Sequence, residues 1–567
     1  MDFDRVLDEI GEFGKFQLTN YLLICLPVFF GAANSLSYVF TAGVPNYRCY
    51  VPNCDDSNNP NYDEPWVHYA VPGETNSYGV FTPEQCNVFI QENATITGSH
   101  TLKSFNECPP QMFTSNVEEC NRWVYDPAEK TILEEWSITC MSNHWKLSLV
   151  GTMHFLGIVS GSFIFGVLAD RYGRKIVFIL SILFMSITGI GQALAGDYVV
   201  FIVFAYLNAV GTSGVYPLAF ILGVEMVGRN KREMSGNVLN YFYALGEAAV
   251  GLVAWLSGNW VTVQLAVSAP PLLFALYYWI VPESVRWLLA KKHTHKAGRI
   301  IKRAAKINGV VLSDTILATF EDSDDNDLSD SKEELNEQPN KSLSQVAVMK
   351  EAIKSKTLMI RFAILIYNWI TNAFVYYGLS LNSTSLSGNK YLNYALVCLI
   401  EIPGYTLAWI AMNKIGRRWS LGLSLLLCGV TCIIGAFINA VGGEDLVWAV
   451  VTLFLIGKLG ITISFSVLYT YSAEMIPTVI RSAGVGALST MARFGAMLAP
   501  FVPLLGLYVK PLPLILFGIL SFIAGITAFA FPETLRKKLP DTVDEAESIG
   551  KTEEEIELRS SSSFKDS

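Results

Sequence analysis

Three short polar tracts of this chain occur twice, in the same order, about half a chain length apart. The first copies read GVLADRYGRK, EMVGR and PESVR and begin at residues 166, 225 and 282. The second copies read NKIGRR, EMIP and PETLR and begin at residues 413, 474 and 532. Aligned on Asp170 and Asn413, on the glutamates and on the prolines, the spacings are 243, 249 and 250 residues. Three ordered repeats at nearly one spacing indicate that half of the protein duplicates the other half.

Long apolar segments separate these tracts. The composition is 51% hydrophobic and only 16% charged. A soluble protein carries about a quarter charged residues, so much of this surface faces something other than water. A membrane-spanning helix needs roughly 20 apolar residues. Twelve segments meet that need, near residues 17–41, 146–168, 176–195, 198–222, 234–257, 261–281, 357–380, 391–412, 419–440, 446–471, 484–507 and 511–531.

The segments and the repeats together predict an all-α membrane protein of twelve transmembrane helices in two pseudo-symmetric six-helix halves. We expect an N-terminal half at 1–281, a linker at 282–356, a C-terminal half at 357–535 and a disordered tail at 536–567. A duplicated membrane half is typical of transporters whose substrate site lies between the halves.

The charges next to the membrane segments predict the topology. The net charge of −9 comes mainly from acidic stretches near residues 321–325 and 553–555. Cytoplasmic loops, however, are recognised by their Lys and Arg content. The basic residues that fall on one side are Arg171, Arg174, Lys175, Arg229, Lys231, Arg232, Lys414, Arg417, Arg418, Arg481, Arg536, Lys537 and Lys538. The short loops of the other side offer little beyond Lys390 and Lys510. We therefore expect both termini and the linker in the cytoplasm.

A polar insertion, residues 42–145, separates the first two segments on the non-cytoplasmic side. It contains six cysteines: Cys49, Cys54, Cys86, Cys108, Cys120 and Cys140. An even set in an oxidising compartment predicts a disulfide framework, although the sequence leaves the pairing open. Glycosylation sequons at Asn93 and Asn382 fall on the same side. We interpret the insertion as a stabilising or assembly cap rather than a ligand-binding domain.

The tract at 166–175 resembles the loop between helices 2 and 3 of the major facilitator superfamily. The resemblance implies a cytoplasmic latch, in which Asp170 pairs with a nearby basic group and with the positive N-terminus of another helix. Since Asn413 replaces the aspartate in the second copy, we expect two latches of different strength. The gating candidates of the repeated tracts are Asp170, Arg171, Arg174, Glu225, Glu283, Glu474, Arg481 and Glu533.

Further motifs resemble the organic cation/carnitine/organic anion transporter family, solute carrier family twenty-two. They are GEFG at 11–14, WVTVQLA at 260–266, YWIVPESVRWLL at 278–289 and SAEMIPTVIR at 472–481, together with the large cysteine-rich first outer loop. The resemblance covers residues 5 to about 540 and is strongest to the insect organic cation transporter-like members. It implies polyspecific transport of small organic ions across the plasma membrane by alternating access, as a uniporter or an exchanger.

Four ionisable residues lie deep inside predicted helices: Glu247, Glu401, Lys458 and Arg493. Charge inside a membrane is costly and is by default a functional hypothesis. Glu401 resembles the acidic position of helix 8 in the family and is our candidate for attracting an ammonium group. In the competing interpretation it pairs with Lys458 or Arg493 and never meets the substrate.

Arg493 departs from the pattern of the cation-selective members, which carry aspartate at the position that it resembles. Members that handle organic anions or carnitine carry arginine there. A guanidinium repels a simple monocation and binds a carboxylate through two parallel hydrogen bonds. The resemblance therefore leaves a cation, a zwitterion and an anion open as substrates.

Aromatic and amide side chains complete the predicted site, because ring faces attract cations and give shape-tolerant contact. The positions that resemble the cavity residues of the family are Tyr216, Asn240, Tyr243, Trp369, Tyr376 and Phe465. We favour Tyr376 and Tyr243 among them. For any single aromatic residue, ordinary helix packing or a place in the interfacial belt is a competing interpretation.

No phosphate-binding loop, nucleophile elbow or metal-ligand cluster is evident, so we expect a transporter and not an enzyme, with neither cofactor nor metal. Its partners would be a small organic ion and the lipid membrane, not nucleic acid. Two alternatives remain open: an organic anion carrier that uses Arg493, and a receptor-like membrane protein that kept the fold without transport.

Overall fold

The structure is a computed structural model that describes residues 3–75, 81–91, 108–228, 231–313, 348–441 and 446–550. Within these ranges eleven helices are long and apolar enough to cross a membrane, and one further apolar helix is shorter, with 17 residues. In chain order they are α1 (Lys15–Thr41), α2 (Met141–Tyr172), α3 (Arg174–Ala193), α4 (Tyr198–Met226), α5 (Arg232–Ser257), α6 (Trp260–Ile280), α7 (Lys356–Ser385), α8 (Lys390–Lys414), α9 (Arg417–Val441), α10 (Val447–Met475), α11 (Arg481–Tyr508) and α12 (Leu512–Ala528). Each of the twelve predicted segments overlaps one of these helices.

Several of these helices change geometry along their length. The α-helical stretches are Lys15–Leu36 and Tyr38–Thr41 in α1, Trp260–Ser268 and Tyr277–Ile280 in α6, Lys390–Leu399 and Glu401–Lys414 in α8, and Arg481–Leu498 and Val502–Tyr508 in α11. In α6 a 3-10 turn at Pro270–Leu276 joins the two stretches, because proline removes the backbone donor that a continuous helix needs. The interruption in α8 falls at Ile400, directly before Glu401.

The two copies of the repeated glycine separate neighbouring helices in the same way. Gly173 follows α2 with φ +106° and Gly416 follows α8 with φ +101°, a region that side chains rarely adopt. A Cβ atom would lie 2.5 Å from Glu283 at the first glycine and 2.4 Å from Glu533 at the second. The duplicated sequence therefore folds into duplicated turns, each closed over the glutamate of its own PESVR or PETLR tract.

Helices pack closely within each half wherever small residues face a neighbouring backbone. A Cβ atom on Gly161 of α2 would lie 2.4 Å from the carbonyl oxygen of Val210, and one on Gly460 of α10 would lie 2.7 Å from that of Ser424. Such positions let membrane helices approach each other. Between the halves, α2 packs against α11 and α5 packs against α8. These two helix pairs therefore border the space in which a substrate site was predicted.

The insertion between α1 and α2 is a small β-structured domain with three disulfides. Its strands are β1 (Tyr47–Cys49), β2 (Gly73–Thr75), β3 (Phe81–Pro83), β4 (Asn87–Gln91), β5 (Phe113–Glu119) and β6 (Trp123–Tyr125), and they pair antiparallel as β1–β6, β2–β3 and β4–β5. The disulfides join Cys49 to Cys120, Cys54 to Cys108 and Cys86 to Cys140. The six cysteines of the predicted framework are thus paired with one another.

Short helices cover the opposite end of the bundle, which carries the repeated tracts. Phe3–Ile10 and Thr294–Asn308 pack together through apolar side chains, and Val285–Ala290 joins them. Near the C-terminus, Val543–Ser548 docks on the start of α7, where Arg361 donates to the carbonyl oxygens of Ala546 and Ile549. We call this end the basic face, and the end with the β-structured domain the outer face.

The two predicted glycosylation sites have different outcomes. Asn93 lies outside the described residues. Asn382 ends the helical stretch Lys356–Asn382 and is only 6% exposed. A glycan needs an accessible asparagine amide, so the structure contradicts the prediction for Asn382 in this conformation.

Candidate functional site

A cavity of about 1370 Å³ lies between the two halves. It extends to Arg232, Asn413 and Arg417 at the basic face. In the other direction it ends near Ser35 of α1 and Phe155 of α2, well short of the outer ends of these helices. The cavity therefore opens to the basic face and is closed towards the outer face.

Direct contacts between the halves close the outer end. The hydroxyl group of Thr152 in α2 donates to the carbonyl oxygen of Met497 in α11 at 3.0 Å. The ring of Phe40 stacks on Tyr391, with 5.5 Å between the centroids. A Cβ atom on Gly251 of α5 would lie 3.0 Å from the ring of Tyr394. Since α1, α2 and α5 belong to one half and α8 and α11 to the other, these contacts must separate before the outer side can open.

Glu401 and Lys458 form a buried ion pair behind the cavity wall. Nζ of Lys458 lies 2.7 Å from Oε1 of Glu401, and both side chains are fully buried. Nζ also donates to the hydroxyl oxygen of Ser380 at 2.8 Å and to the carbonyl oxygen of Tyr376 at 3.2 Å. Neither charged residue lines the cavity. The pair compensates its own charge within the C-terminal half.

Tyr376 holds this pair in place and separates it from the cavity. Its hydroxyl group donates to Oε2 of Glu401 at 2.7 Å, and Nζ of Lys458 lies 3.4 Å from the ring centroid. Its ring stacks on Phe465 with 5.4 Å between the centroids. Tyr405 donates to the same carboxylate oxygen at 3.4 Å. The ring of Tyr376 is therefore already engaged with an ammonium group of the protein itself.

Arg493 of α11 is a half-buried cation that faces the cavity. It lines the cavity wall, and no ion pair in the described ranges includes it. The ionisable side chains that face it are the phenols of Tyr377, Tyr469 and Tyr243, together with the ring of His154. Arg493 thus places a guanidinium in the cavity, and no carboxylate of the described residues pairs with it.

Glu247 is buried in α5, outside the cavity lining. Among the described residues, neither of its carboxylate oxygens has a hydrogen-bond partner. The charged groups that interact with it electrostatically are Glu401 and Lys458 of the opposite half. The sequence therefore identified a buried acid correctly, but the structure does not place it in contact with the cavity.

Five of the six aromatic and amide candidates line the cavity, and one lies outside it. Tyr216, Asn240, Tyr243, Tyr376 and Phe465 line the cavity, and the hydroxyl group of Tyr216 donates to Oδ1 of Asn240 at 2.6 Å. Trp369 is fully buried away from it.

Trp369 illustrates the packing alternative that the sequence left open. Its indole nitrogen donates to the hydroxyl oxygen of Ser472 at 2.9 Å, and its ring contacts Tyr469 with 4.4 Å between the centroids. It does not line the cavity. The prediction that Trp369 contacts substrate therefore has no support in this conformation, because the indole is occupied by helix packing.

Several cavity residues were missed in the sequence, and two of them are tyrosines next to named candidates. Tyr405 and Tyr469 both line the cavity. Tyr405 lies four residues after Glu401, and Tyr469 lies four residues after Phe465. Residues four apart share a helix face, so this spacing from two named candidates was the signal that could have identified them.

Two gating candidates of the C-terminal half, Glu474 and Glu533, are joined into one cluster by Arg417. Arg417 forms an ion pair with Glu474 at 2.9 Å, and its backbone amide donates to Oε1 of Glu533 at 2.8 Å. The hydroxyl group of Thr534 donates at 2.6 Å to Oε2 of Glu474, which also accepts from Nε of Arg417 at 3.1 Å. Arg481 lies apart from this cluster and donates to the carbonyl oxygen of Ile476.

The N-terminal half carries a looser version of the same cluster. Arg174 pairs with Asp170 at 3.0 Å, but the carboxylate of Asp170 is 78% exposed. Glu283 accepts from the backbone amide of Lys175 at 2.9 Å, and burial raises the pKa of Glu283 while these backbone hydrogen bonds oppose the rise.

The remaining N-terminal candidates differ in burial. Glu225 accepts a hydrogen bond from the hydroxyl group of Ser284. Arg171 is exposed and lies 5.5 Å from the ring centroid of Tyr172. Within the part of the chain that the structure describes, Asp170 pairs with Arg174 of its own half, and no ion pair links Asp170 to the other half.

Comparisons with known proteins identify the family. The profile of the Major Facilitator Superfamily matches residues 112–500 and 392–555. The organic cation transporter protein of Drosophila melanogaster is 33% identical over 557 residues, which cover 97% of this chain and 95% of that protein. The chain belongs to solute carrier family 22. Mouse solute carrier family 22 member 3 is 33% identical over 561 residues (97% and 96%), and mouse organic cation/carnitine transporter 2 is 33% identical over 548 residues (96% and 94%).

The fold has a counterpart among solved structures. The inward open conformation of the xylose transporter XylE from E. coli aligns with a TM-score of 0.55 at 16% identity, covering 72% of this chain and 89% of XylE. This likeness shows the fold alone. As a member of solute carrier family 22, the chain is a multi-pass membrane transporter with the major facilitator fold and not an enzyme. The family resemblance of the sequence motifs is thereby confirmed.

Proposed function

We propose that this solute carrier moves small organic cations and zwitterions across the plasma membrane by alternating access, as a uniporter or an exchanger. Arg493 would anchor the carboxylate of a zwitterion such as carnitine. The role of Arg493 rests on one observation. Among the described residues Arg493 faces the cavity without a carboxylate partner, whereas Glu401, the acid at the family's helix 8 position, is already paired with Lys458.

A buried ion pair such as Glu401–Lys458 presents little net charge to the cavity, because the two charges lie 2.7 Å apart. The guanidinium of Arg493 stays uncompensated there and can bind a carboxylate in a bidentate geometry. A zwitterionic substrate is also consistent with the name of one relative, the mouse organic cation/carnitine transporter 2.

The cationic end of a substrate has aromatic partners in both halves. Tyr216 and Tyr243 contribute rings from the N-terminal half, with 5.5 Å between their centroids. Phe465 and Tyr469 contribute rings from the C-terminal half, with 5.6 Å between theirs. Ring faces attract ammonium groups without demanding one shape. A substrate held between these rings would contact both halves at once, as alternating access requires.

We further propose how the protein is oriented in the membrane and which residues act as its cytoplasmic gates. The basic face is cytoplasmic, which agrees with Arg174, Lys175, Arg417 and Arg418 at that end and with three disulfides at the other. The halves are 1–281 and 357–535, joined by the cytoplasmic linker 282–356. The charged clusters around Glu225, Glu283, Glu474 and Glu533 act as cytoplasmic gates.

Uptake into expressing cells tests the function. Labelled tetraethylammonium, carnitine and p-aminohippurate are compared for wild type, Arg493→Asp, Arg493→Lys and Glu401→Gln at matched surface expression. An exposed lysine substitution, Lys414→Asp, controls for a charge change near the membrane. We expect Arg493→Asp to lower the efficiency of carnitine uptake at least roughly 10-fold, since a hydrogen bond to a charged group is lost, and to spare tetraethylammonium.

Three other uptake results would contradict parts of this proposal. Carnitine uptake that is unchanged in Arg493→Asp would overturn the role of the arginine. Uptake of p-aminohippurate that requires Arg493 would make the protein an organic anion carrier instead. Absence of uptake for all three probes at normal surface expression would contradict the substrate class.

A further inference from the structure

One segment of the β-structured domain touches both halves of the transporter. We call this segment, residues 126–131, the strap. The backbone amide of Lys130 donates to the carbonyl oxygen of Gly258 at 2.7 Å, and the amide of Trp260 donates back to the carbonyl oxygen of Lys130 at 3.0 Å. The strap is thereby hydrogen-bonded to the turn between α5 and α6, in the N-terminal half.

The residues that follow the strap fix it rigidly to the same half. Ile132 and Leu133 are fully buried. The indole of Trp136 packs on Phe201 of α4 and on Trp260 of α6, with 5.2 Å and 5.7 Å between the ring centroids. A chain segment held by two backbone hydrogen bonds and a buried aromatic cluster has little freedom to move away from this half.

Glu129 of the strap crosses to the other half. Its carboxylate forms an ion pair with Lys390, the first residue of α8. The Glu129 side chain is 13% exposed and the Lys390 side chain is 30% exposed, so water screens the pair only in part. The next residue of α8, Tyr391, stacks on Phe40 of α1. The ion pair therefore covers the aromatic contact that closes the outer end.

We propose that Glu129 and Lys390 are gating residues that latch the outer side shut. The outer contacts of Thr152, Gly251 and Phe40 are uncharged. Among the described residues, only one other ion pair joins the β-structured domain to the C-terminal half, between Glu74 and Lys510 at 3.8 Å, and both of those side chains are at least 84% exposed.

The latch acts because its two residues belong to bodies that separate. Adjacent strap residues serve opposite halves: Lys130 binds the N-terminal half through its backbone, and Glu129 binds α8 through its side chain. When the outer side opens, α8 moves away from the turn between α5 and α6, and the ion pair breaks. The β-structured domain is thus a working part of the gate, not only a cap.

A native cysteine reports the opening of this gate. Cys398 of α8 is fully buried and reduced, eight residues beyond Lys390 and so about 12 Å further into the bundle. A membrane-impermeant, positively charged methanethiosulfonate reagent is applied from outside to cells expressing the full chain. The rate of modification at Cys398 is read by mass spectrometry of its peptide, and Cys398→Ser gives the background.

We expect Glu129→Gln and Lys390→Gln each to raise the modification rate by roughly 3- to 10-fold, because a partly buried ion pair no longer favours the closed state. The charge-reversed pair, Glu129→Lys with Lys390→Glu, should restore the slow rate of wild type. The matched control Lys510→Gln breaks the exposed ion pair and should leave the rate unchanged.

High external salt provides a second measurement. It should raise the rate for wild type, because it screens a partly exposed ion pair, and leave both single variants unaffected. Unchanged rates in both single variants, or a charge-reversed pair that stays as fast as the singles, would overturn the latch. The readout rests on alternating access but not on the substrate, so it remains valid if all three uptake probes fail.

Discussion

The buried pair of Glu401 and Lys458 gives the sharpest stability prediction. Both side chains are fully buried, and the two charges lie 2.7 Å apart. In Lys458→Met the carboxylate of Glu401 loses its counter-ion and keeps only the hydroxyl groups of Tyr376 and Tyr405. Removing one partner of a buried ion pair costs about 3–5 kcal/mol. The ratio of folded to unfolded protein should therefore fall by roughly 10²- to 10⁴-fold.

A double variant measures how strongly Glu401 and Lys458 stabilise each other, apart from the effect of removing either residue alone. Glu401→Gln alone leaves the ammonium of Lys458 buried, although Ser380 and the carbonyl oxygen of Tyr376 still accept from it. In Lys458→Met with Glu401→Gln neither of the two positions carries a charge, and the glutamine can still accept from Tyr376. We expect the double variant to be more stable than Lys458→Met, with a coupling energy between the two sites of about 1.5–3 kcal/mol.

The assay is unfolding of the purified protein in mixed micelles, titrated with a denaturing detergent and followed by tryptophan fluorescence. Lys414→Met removes an exposed lysine at the end of α8 and should shift the free energy of unfolding by less than about 0.5 kcal/mol. If the double variant loses as much stability as the sum of the two single variants, the residues are not coupled and the ion pair is not what stabilises this region.

Three further predictions rest on other parts of the fold. Arg417→Gln should destabilise the protein by about 1.5–3 kcal/mol, and by more than Arg174→Gln does, because Arg417 binds a largely buried glutamate whereas Arg174 binds an exposed aspartate. The same unfolding assay compares the free energies of unfolding of the two variants. Gly246→Ala should lower surface expression and stability, since its Cβ atom would lie 2.1 Å from a backbone oxygen of α1, whereas Gly166→Ala has open space; equal effects would contradict the packing. Cys54→Ser should cost about 4 kcal/mol in the outer domain by loop entropy and speed its limited proteolysis.

Local sequence patterns located the membrane helices and the repeated turns. Each membrane helix corresponds to a long apolar segment of the sequence. Each repeated turn contains a glycine, Gly173 or Gly416, and both glycines have a positive φ that other residues rarely adopt. The pairing of the outer cysteines could not be deduced in the same way. Cys86 pairs with Cys140, across 54 residues of chain, and only the folded strands bring these two together.

The candidate site was predictable residue by residue but not as an arrangement. The sequence showed that Tyr376 and Trp369 lie on the same helix. It could not show that Ser472 would hold the indole of Trp369 away from the cavity. Side-chain direction depends on which neighbouring helix packs on which face, and that is a long-range property of the fold. The spacing of four residues from Glu401 to Tyr405 was visible, and it correctly marks a shared face.

The pairing of the buried charges has the largest consequence for function. Counted from the sequence, two acids and two bases inside the membrane cancel, and they favour no substrate charge. In the structure Lys458 neutralises Glu401 behind the ring of Tyr376, and Glu247 lies outside the cavity lining. Arg493 alone among the four lines the cavity. Under the proposed function, Arg493 sets the sign of the charge that the inner end of the cavity offers, although Arg232, Glu233 and Arg417 also line the cavity near the basic face. Substitution at position 493 should therefore change substrate preference without dismantling the rest of the site.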